Sequence, residues 1–147
     1  MRIAFTVLAA LSCSLTLMAA ESFYGTWKLN VAKSKLQCSD VSSETLKIIE
    51  TGPSGYRNIT DVVSKSGEAH HQESGNRHLN GKEYPIPGKA GVSQAIVRVD
   101  ASTHKIINKK DGKVVEEITA VVSPDGKVQT NHRVFGTCDE TMVFEKQ

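Results

Sequence analysis

The chain has 147 residues, of which 39% are hydrophobic and 23% charged, and its formal net charge is +2. This length allows a leader and one domain. The near-neutral charge gives no support for binding to nucleic acid or to an anionic membrane surface. We therefore expect no nucleic-acid partner, and we expect a monomer.

The first twenty residues are typical of a secretory signal peptide. Arg2 supplies the positive start, residues 3–18 form an apolar run, and Ala19-Ala20 provides small residues at a cleavage point before Glu21. The apolar run is short for a permanent span, which needs about 20 apolar residues. We expect cleavage between Ala20 and Glu21, no stable membrane insertion afterwards, and an exported protein in the periplasm or outside the cell.

Two alternatives to this leader stay open. The segment could remain as an uncleaved anchor, or Cys13 could be a lipoprotein attachment site. The residues before Cys13 do not fit the lipoprotein pattern closely, and cleavage there would leave the apolar piece 15–20 on the chain.

Cleavage leaves two cysteines, Cys38 and Cys138. An even pair in an oxidising compartment predicts a disulfide, here closing a loop of about 100 residues. About a third of the chain after the leader is apolar, less than is usual, so a covalent cross-link would strengthen a thin core. The alternative is two independent buried thiols.

The remaining sequence predicts strands with very little helix. Gly25 and Trp27 mark the first strand, and residues 31–36 could form one or two helical turns. Short segments rich in β-branched residues follow, each bounded by turn sequences; they are 44–51, 56–63, 93–100, 113–122 and 140–146.

Two turn sequences near the end of the chain predict hairpins. Asp111-Gly112 joins one pair of strands, and Pro124 with Gly126 forms a turn in the next connection. Three consecutive antiparallel strands over 103–135 follow. The fold class is therefore all-β: an antiparallel up-and-down meander of about eight to ten strands that closes into a barrel.

One predicted strand, 127–135, carries polar residues on both faces, which suits a barrel with a partly wet interior. One face would hold Val128, Thr130, His132 and Val134, and the other Gln129, Asn131, Arg133 and Phe135. Because Val128 and Val134 share its face, His132 is the candidate polar group inside a cavity.

The stretch FYGTWKL resembles the Gly-x-Trp motif that opens lipocalins and fatty-acid-binding proteins, the calycin barrels. GTWKLNVAKSKL, NGKEYPIPG, VRVDASTHKIINKKDGKVV, VSPDGK and VFEKQ are similar to landmarks of exported bacterial lipocalin-like proteins with no established activity. The resemblance covers most of residues 23–147. It implies a calycin-like barrel in which Trp27 packs across the floor.

The resemblance also identifies a departure from the fatty-acid carriers. Where those proteins hold a lipid carboxylate with an Arg and a Tyr two residues apart, this chain has Met142 and Phe144. A thioether and a phenyl ring offer no charge-assisted donor, so a carrier of the intracellular fatty-acid type is not expected. Trp27, His132, Met142 and Phe144 are the candidate ligand-binding residues of the cavity wall or floor.

The histidines do not predict a metal site. His70 and His71 are adjacent on a strand and would point to opposite faces, and no ligand spacing links them to His78 or to a cysteine. No nucleophile or phosphate-binding motif appears, so we expect no catalytic residue, no cofactor and no enzyme activity.

The first functional hypothesis is a lipocalin-like protein that binds a small apolar or amphipathic ligand. The alternative is a protein-interaction or envelope-structural module without an internal ligand, using the polar segment 65–80 as its contact surface. An enzyme is the third possibility.

Overall fold

The computed structural model describes residues 23–147, in which eleven strands form one antiparallel sheet. In chain order they are β1 (Gly25–Leu29), β2 (Ser43–Gly52), β3 (Gly55–Val63), β4 (Ala69–Glu73), β5 (Arg77–His78), β6 (Asn80–Pro85), β7 (Val92–Arg98), β8 (Thr103–Lys110), β9 (Lys113–Val122), β10 (Val128–Phe135) and β11 (Cys138–Lys146). No helix in this part of the chain is long and apolar enough to cross a membrane. The leader, its Ala20–Glu21 cleavage site and the Cys13 alternative lie outside the described residues.

The sheet follows the order β4-β3-β2-β1-β11-β10-β9-β8-β7-β6, and the two-residue strand β5 pairs with β3 off this path. The first and last strands are therefore neighbours, with Trp27 opposite Lys146 in antiparallel register. The predicted all-β antiparallel meander is confirmed. The strand number exceeds eight to ten because the segment between β3 and β7 divides into three short strands.

The predicted hairpins are present. Asp111 (φ 49°) and Gly112 (φ 76°) both adopt positive φ between β8 and β9, as a tight two-residue hairpin requires. In the next connection Gly126 adopts φ 69°, and its N–H donates to the Ser123 carbonyl at 2.8 Å. The helix expected in 31–36 is a single 3-10 turn, Val31–Lys33.

A packed apolar layer, here called the floor, closes one end of the barrel. Trp27 is fully buried, and its indole Nε1 donates to the Phe23 carbonyl at 2.8 Å. The Phe23 ring stacks on His104 with 3.8 Å between centroids. Other floor residues are Ile48, Tyr56, Ala120, Val122 and Phe144.

The opposite end, here called the disulfide end, carries the 3-10 turn and the loop after it. The structure joins Cys38 in this loop to Cys138 at the start of β11, with 6.2 Å between their Cα atoms. The predicted pairing is confirmed. Antiparallel β1 and β11 make it possible, because the chain that leaves β1 beside Phe144 continues along β11 toward its start, as the Lys35–Thr141 bridge shows.

Candidate ligand-binding site

An interior cavity of about 180 Å³ lies between the floor and the disulfide end. Its wall combines apolar and polar side chains. The apolar lining includes Phe23, Leu46, Ile48, Tyr56, Ile106, Ile118 and Ala120, and the polar lining includes Glu44, Asn58, Thr60, Arg77, Gln94, Gln129 and Asn131. The cavity is therefore amphipathic.

A chain of hydrogen-bonded side chains, here called the polar belt, crosses five strands near the disulfide end. Gln94 donates to Asn108 at 2.7 Å, and Asn108 donates to Glu116 at 2.5 Å. Arg133 donates to the same carboxylate through Nε at 2.9 Å and through Nη2 at 2.5 Å. Glu140 completes the belt, with its Oε2 3.8 Å from Arg133 Nη1. Two carboxylates thus compensate the single charge of Arg133.

Glu140 is fully buried and connects the belt to the disulfide loop. Its Oε1 accepts the backbone N–H groups of Cys38 at 2.5 Å and of Ser39 at 2.6 Å, and its Oε2 accepts the Ser39 hydroxyl. Burial alone would raise the pKa of Glu140. These hydrogen bonds and the Arg133 charge outweigh burial and hold the pKa below its usual 4.5.

Glu44 on β2 lies near the polar belt, and its pKa shifts in the opposite direction to that of Glu140. Burial raises its pKa above the usual 4.5, and the charge of Arg133 opposes this only in part. Because Arg133 is already paired with Glu116, its charge stabilises the ionised form of a further carboxylate less strongly. The ionised form of Glu44 is therefore disfavoured where its side chain lines the cavity.

Two buried acceptors on the cavity wall have no hydrogen-bond partner among the described residues: Asn58 Oδ1 and Gln129 Oε1. Gln129 is only 2% exposed, and its amide nitrogen already donates to Asn131 at 2.9 Å. A buried acceptor without a partner costs about 1–3 kcal/mol. The cavity therefore offers two acceptors for a hydrogen-bond donor, which a guest or a water molecule can supply.

A second space opens at the side of the barrel, where the sheet path ends at β4 and β6. This opening, here called the seam cleft, has a volume of about 460 Å³. Tyr84, Ile86 and Ile96 supply apolar walls. Arg77 and Gln94 line both the seam cleft and the interior cavity, so the two spaces adjoin.

Three of the four candidate ligand residues lie on the inner face of the barrel. Trp27 and Phe144 belong to the floor, and Met142 is 4% exposed with its sulfur 3.9 Å from Arg133 Nη1. None of the three borders the open cavity. Trp27 and Phe144 form the packed layer beneath it, Met142 lies beside the polar belt, and contact with a ligand stays a prediction for all three.

The prediction that His132 lies inside the cavity is wrong. Its side chain is 50% exposed, and its Nε2 is 2.7 Å from Asp139 Oδ1 on the outer face. Met142 pairs with Asn131 across β10 and β11, and paired residues share a face. Because Met142 faces inward, Asn131 does too, and His132 next to it must face outward.

His104 is buried against Phe23, whereas His70, His71 and His78 are exposed on the surface. His71 contacts Asp61 at 2.6 Å, and His70 points to the opposite face, as expected from their adjacency. The His78 ring lies 4.7 Å from the ring of Tyr84. Within residues 23–147, no group of three or more His, Cys, Asp or Glu side chains is arranged to hold a metal ion.

Sequence reasoning missed the polar side chains inside the barrel, above all Arg133 of the polar belt and Gln129 and Arg77 of the cavity wall. A signal for the first two was available in β10, where Gln129, Asn131 and Arg133 alternate on one face. The sequence pattern favours the valine face as the inner one, because apolar residues usually face the interior. In this strand the polar face is inside, since Arg133 finds its carboxylate partners there.

No family model matches the chain, and no curated protein matches it. Several solved structures share its fold. The wild-type fluorescent protein UnaG aligns with a TM-score of 0.65 and 16% identity, over 86% of this chain and 98% of that one. Fatty-acid-binding protein 1 of Echinococcus granulosus aligns with a TM-score of 0.61 and 18% identity, over 86% and 98%.

The fatty-acid-binding protein of Schistosoma mansoni, solved in complex with arachidonic acid, aligns with a TM-score of 0.60 and 14% identity, over 86% of this chain and 96% of that one. Identities this low carry information about fold alone. The chain therefore has a calycin-type fold, the fold of the fatty-acid-binding proteins.

Proposed function

We propose that this protein is an exported carrier, not an enzyme, that binds a small apolar or amphipathic molecule in the barrel. The observation that carries the proposal is the amphipathic cavity itself. It presents buried acceptors without partners, Asn58 Oδ1 and Gln129 Oε1, beside apolar residues of the floor. Export is supported by the leader sequence and by the Cys38–Cys138 disulfide.

The two adjoining spaces suggest how a ligand would lie. The interior cavity, at about 180 Å³, is smaller than the roughly 300–1,000 Å³ of typical small-molecule sites, whereas the seam cleft falls in that range. We place the apolar part of the ligand against Ile48 and Ala120, and the remainder toward the seam cleft. The ligand would enter by the side of the barrel.

The proposal is tested by native mass spectrometry of protein produced with its leader and purified without refolding. We expect a bound small molecule that is absent from the Ala120→Leu variant, because Ala120 lines the cavity and is only 3% exposed. Thr119→Leu, one residue away on the outer face, is the matched control and should retain the ligand. Wild-type protein that carries no ligand and binds neither decanol nor decanoate would contradict the proposal.

One observation favours the alternative of a protein-interaction module. All five residues of β4 are exposed, and this strand ends the sheet path, so one of its edges carries no further strand. Exposed edges accept additional strands from partners. Under this alternative a partner protein would co-purify with the wild type and with Ala120→Leu. The partner would be lost from Gln72→Pro, since Gln72 lies on β4 opposite Thr60.

A further inference from the structure

Arg77 stands where the interior cavity and the seam cleft meet. It belongs to β5, the short strand that pairs with β3, and it lies opposite Tyr56. Its side chain lines both spaces, a position that it shares with Gln94. Any molecule that extends from the cavity into the cleft must pass beside its guanidinium group.

No carboxylate among residues 23–147 forms an ion pair with Arg77. Its Nε atom is buried and has no hydrogen-bond partner in this part of the chain. Burial lowers the pKa of Arg77, and the only opposing influence comes from Tyr56. Arg133 differs, because Glu116 and Glu140 surround it. Arg77 is half-buried, and a partly desolvated cation whose Nε lacks a partner favours an anionic guest.

Tyr56 supplies a second donor at the same place. It is 6% exposed and lines the interior cavity beside Arg77. Burial raises the pKa of Tyr56 to about 12, with the charge of Arg77 opposing the rise. The phenol therefore stays protonated at neutral pH and can donate a hydrogen bond to an oxyanion.

We propose that Arg77, assisted by the Tyr56 hydroxyl, binds the carboxylate of a monoanionic amphipathic ligand at the junction of the two spaces. This inference rests on the proposed function and names the ligand class and the residue that selects it. One cation with no carboxylate partner among the described residues matches one negative charge, and a guanidinium can contact both oxygens of a carboxylate. The anionic group would lie by β5, far in sequence from Met142 and Phe144 on β11.

The test compares two probes that differ only in their head group, decanoate and decanol, by isothermal titration calorimetry with the protein lacking its leader. Wild-type protein should bind decanoate about tenfold to a hundredfold more tightly than decanol, as expected for charge-assisted hydrogen bonds. Arg77→Gln should remove this preference by weakening decanoate binding alone. Tyr56→Phe should weaken decanoate binding by several-fold and leave decanol unchanged.

Arg57→Gln is the matched control, since Arg57 also has a buried Nε without a partner but lines neither space. It should leave both affinities unchanged. Arg77→Lys, which keeps the charge, should retain part of the preference and guards against a loss of folding in Arg77→Gln. Equal binding of both probes by wild type and Arg77→Gln would overturn this inference and leave the proposed function standing. Failure of the wild type to bind either probe would overturn both.

Discussion

Glu140 and Cys38 are 102 residues apart in sequence, yet the Glu140 carboxylate accepts the Cys38 backbone N–H at 2.5 Å. The loop that carries Cys38 is thus attached to β11 in two ways, by the disulfide and by a fully buried carboxylate. Glu140 also contacts Arg133 in the polar belt. The cross-link and the inner wall of the barrel are therefore parts of one connected structure.

Replacement of Glu140 should strongly destabilise the protein. In Glu140→Gln, the charge that faces Arg133 and the loop N–H groups is lost, and we expect the free energy of unfolding to fall by about 2–4 kcal/mol. Urea unfolding at pH 7 measures this. Glu145→Gln on the same strand is the control. Glu145 is 41% exposed and pairs with Lys33 at 2.8 Å, and such surface pairs contribute at most about 1 kcal/mol.

The pKa of Glu140 sets the pH window of that effect. Because its pKa is lower in the folded protein than the usual 4.5, its contribution is present above pH 4.5 and is lost as the pH falls through the folded value. The difference between wild type and Glu140→Gln should shrink below pH 4.5. A difference that stays constant down to pH 3 would contradict this assignment.

Glu44 should show the opposite pH dependence. Its folded pKa is above 4.5, so the protein is favoured while this carboxyl is protonated, and stability is lost as the pH rises through the folded pKa. We expect Glu44→Gln to be more stable than wild type at pH 7 and equal to it at pH 4. Urea unfolding at both pH values measures this. Glu50→Gln, at an exposed position on the same strand, is the control and should leave stability unchanged at both pH values.

The sequence predicted the architecture because its signals are local. The Asp111-Gly112 hairpin needs only two adjacent residues that accept positive φ, and both adopt it. The inner face of β10 depends instead on Arg133 meeting Glu116 and Glu140 from neighbouring strands. The register that brings these three side chains together cannot be read from one strand, and so His132 was assigned to the wrong face.

The position of Arg77 could not be predicted from the local sequence either. Nothing in its local sequence distinguishes it from Arg57, and both have a buried Nε without a partner. Only the pairing of a two-residue strand with β3 places Arg77 at the meeting point of two spaces. Such a short strand carries no periodic signal, because periodicity requires several residues.

Loss of the disulfide should reduce stability more than it changes the fold. A cross-link that spans 100 residues contributes up to about 4.7 kcal/mol by restricting the unfolded chain. Cys38→Ser, Cys138→Ser and the double variant should all show the same loss in urea unfolding. Their far-UV circular dichroism should remain that of the wild type. Two free thiols in the mass of wild-type protein produced from the full sequence and purified without reductant would contradict the assignment.

Trp27 provides the most direct test of the floor. It is the only tryptophan in the chain and is fully buried, so the fluorescence of the folded protein should be blue-shifted and resistant to iodide quenching. Trp27→Phe removes the indole donor and leaves the carbonyl of the buried Phe23 without its partner at 2.8 Å. It also leaves a void where the larger ring packed.

We expect Trp27→Phe to lower the free energy of unfolding by about 2–4 kcal/mol, measured by circular dichroism because the variant lacks the fluorophore. Tyr84→Phe is the matched control, since Tyr84 is 36% exposed and loses a surface hydrogen bond from Asn80. Its effect should stay below about 1 kcal/mol. Equal losses in the two variants would show that the floor is not the packed layer that the buried indole and its hydrogen bond indicate.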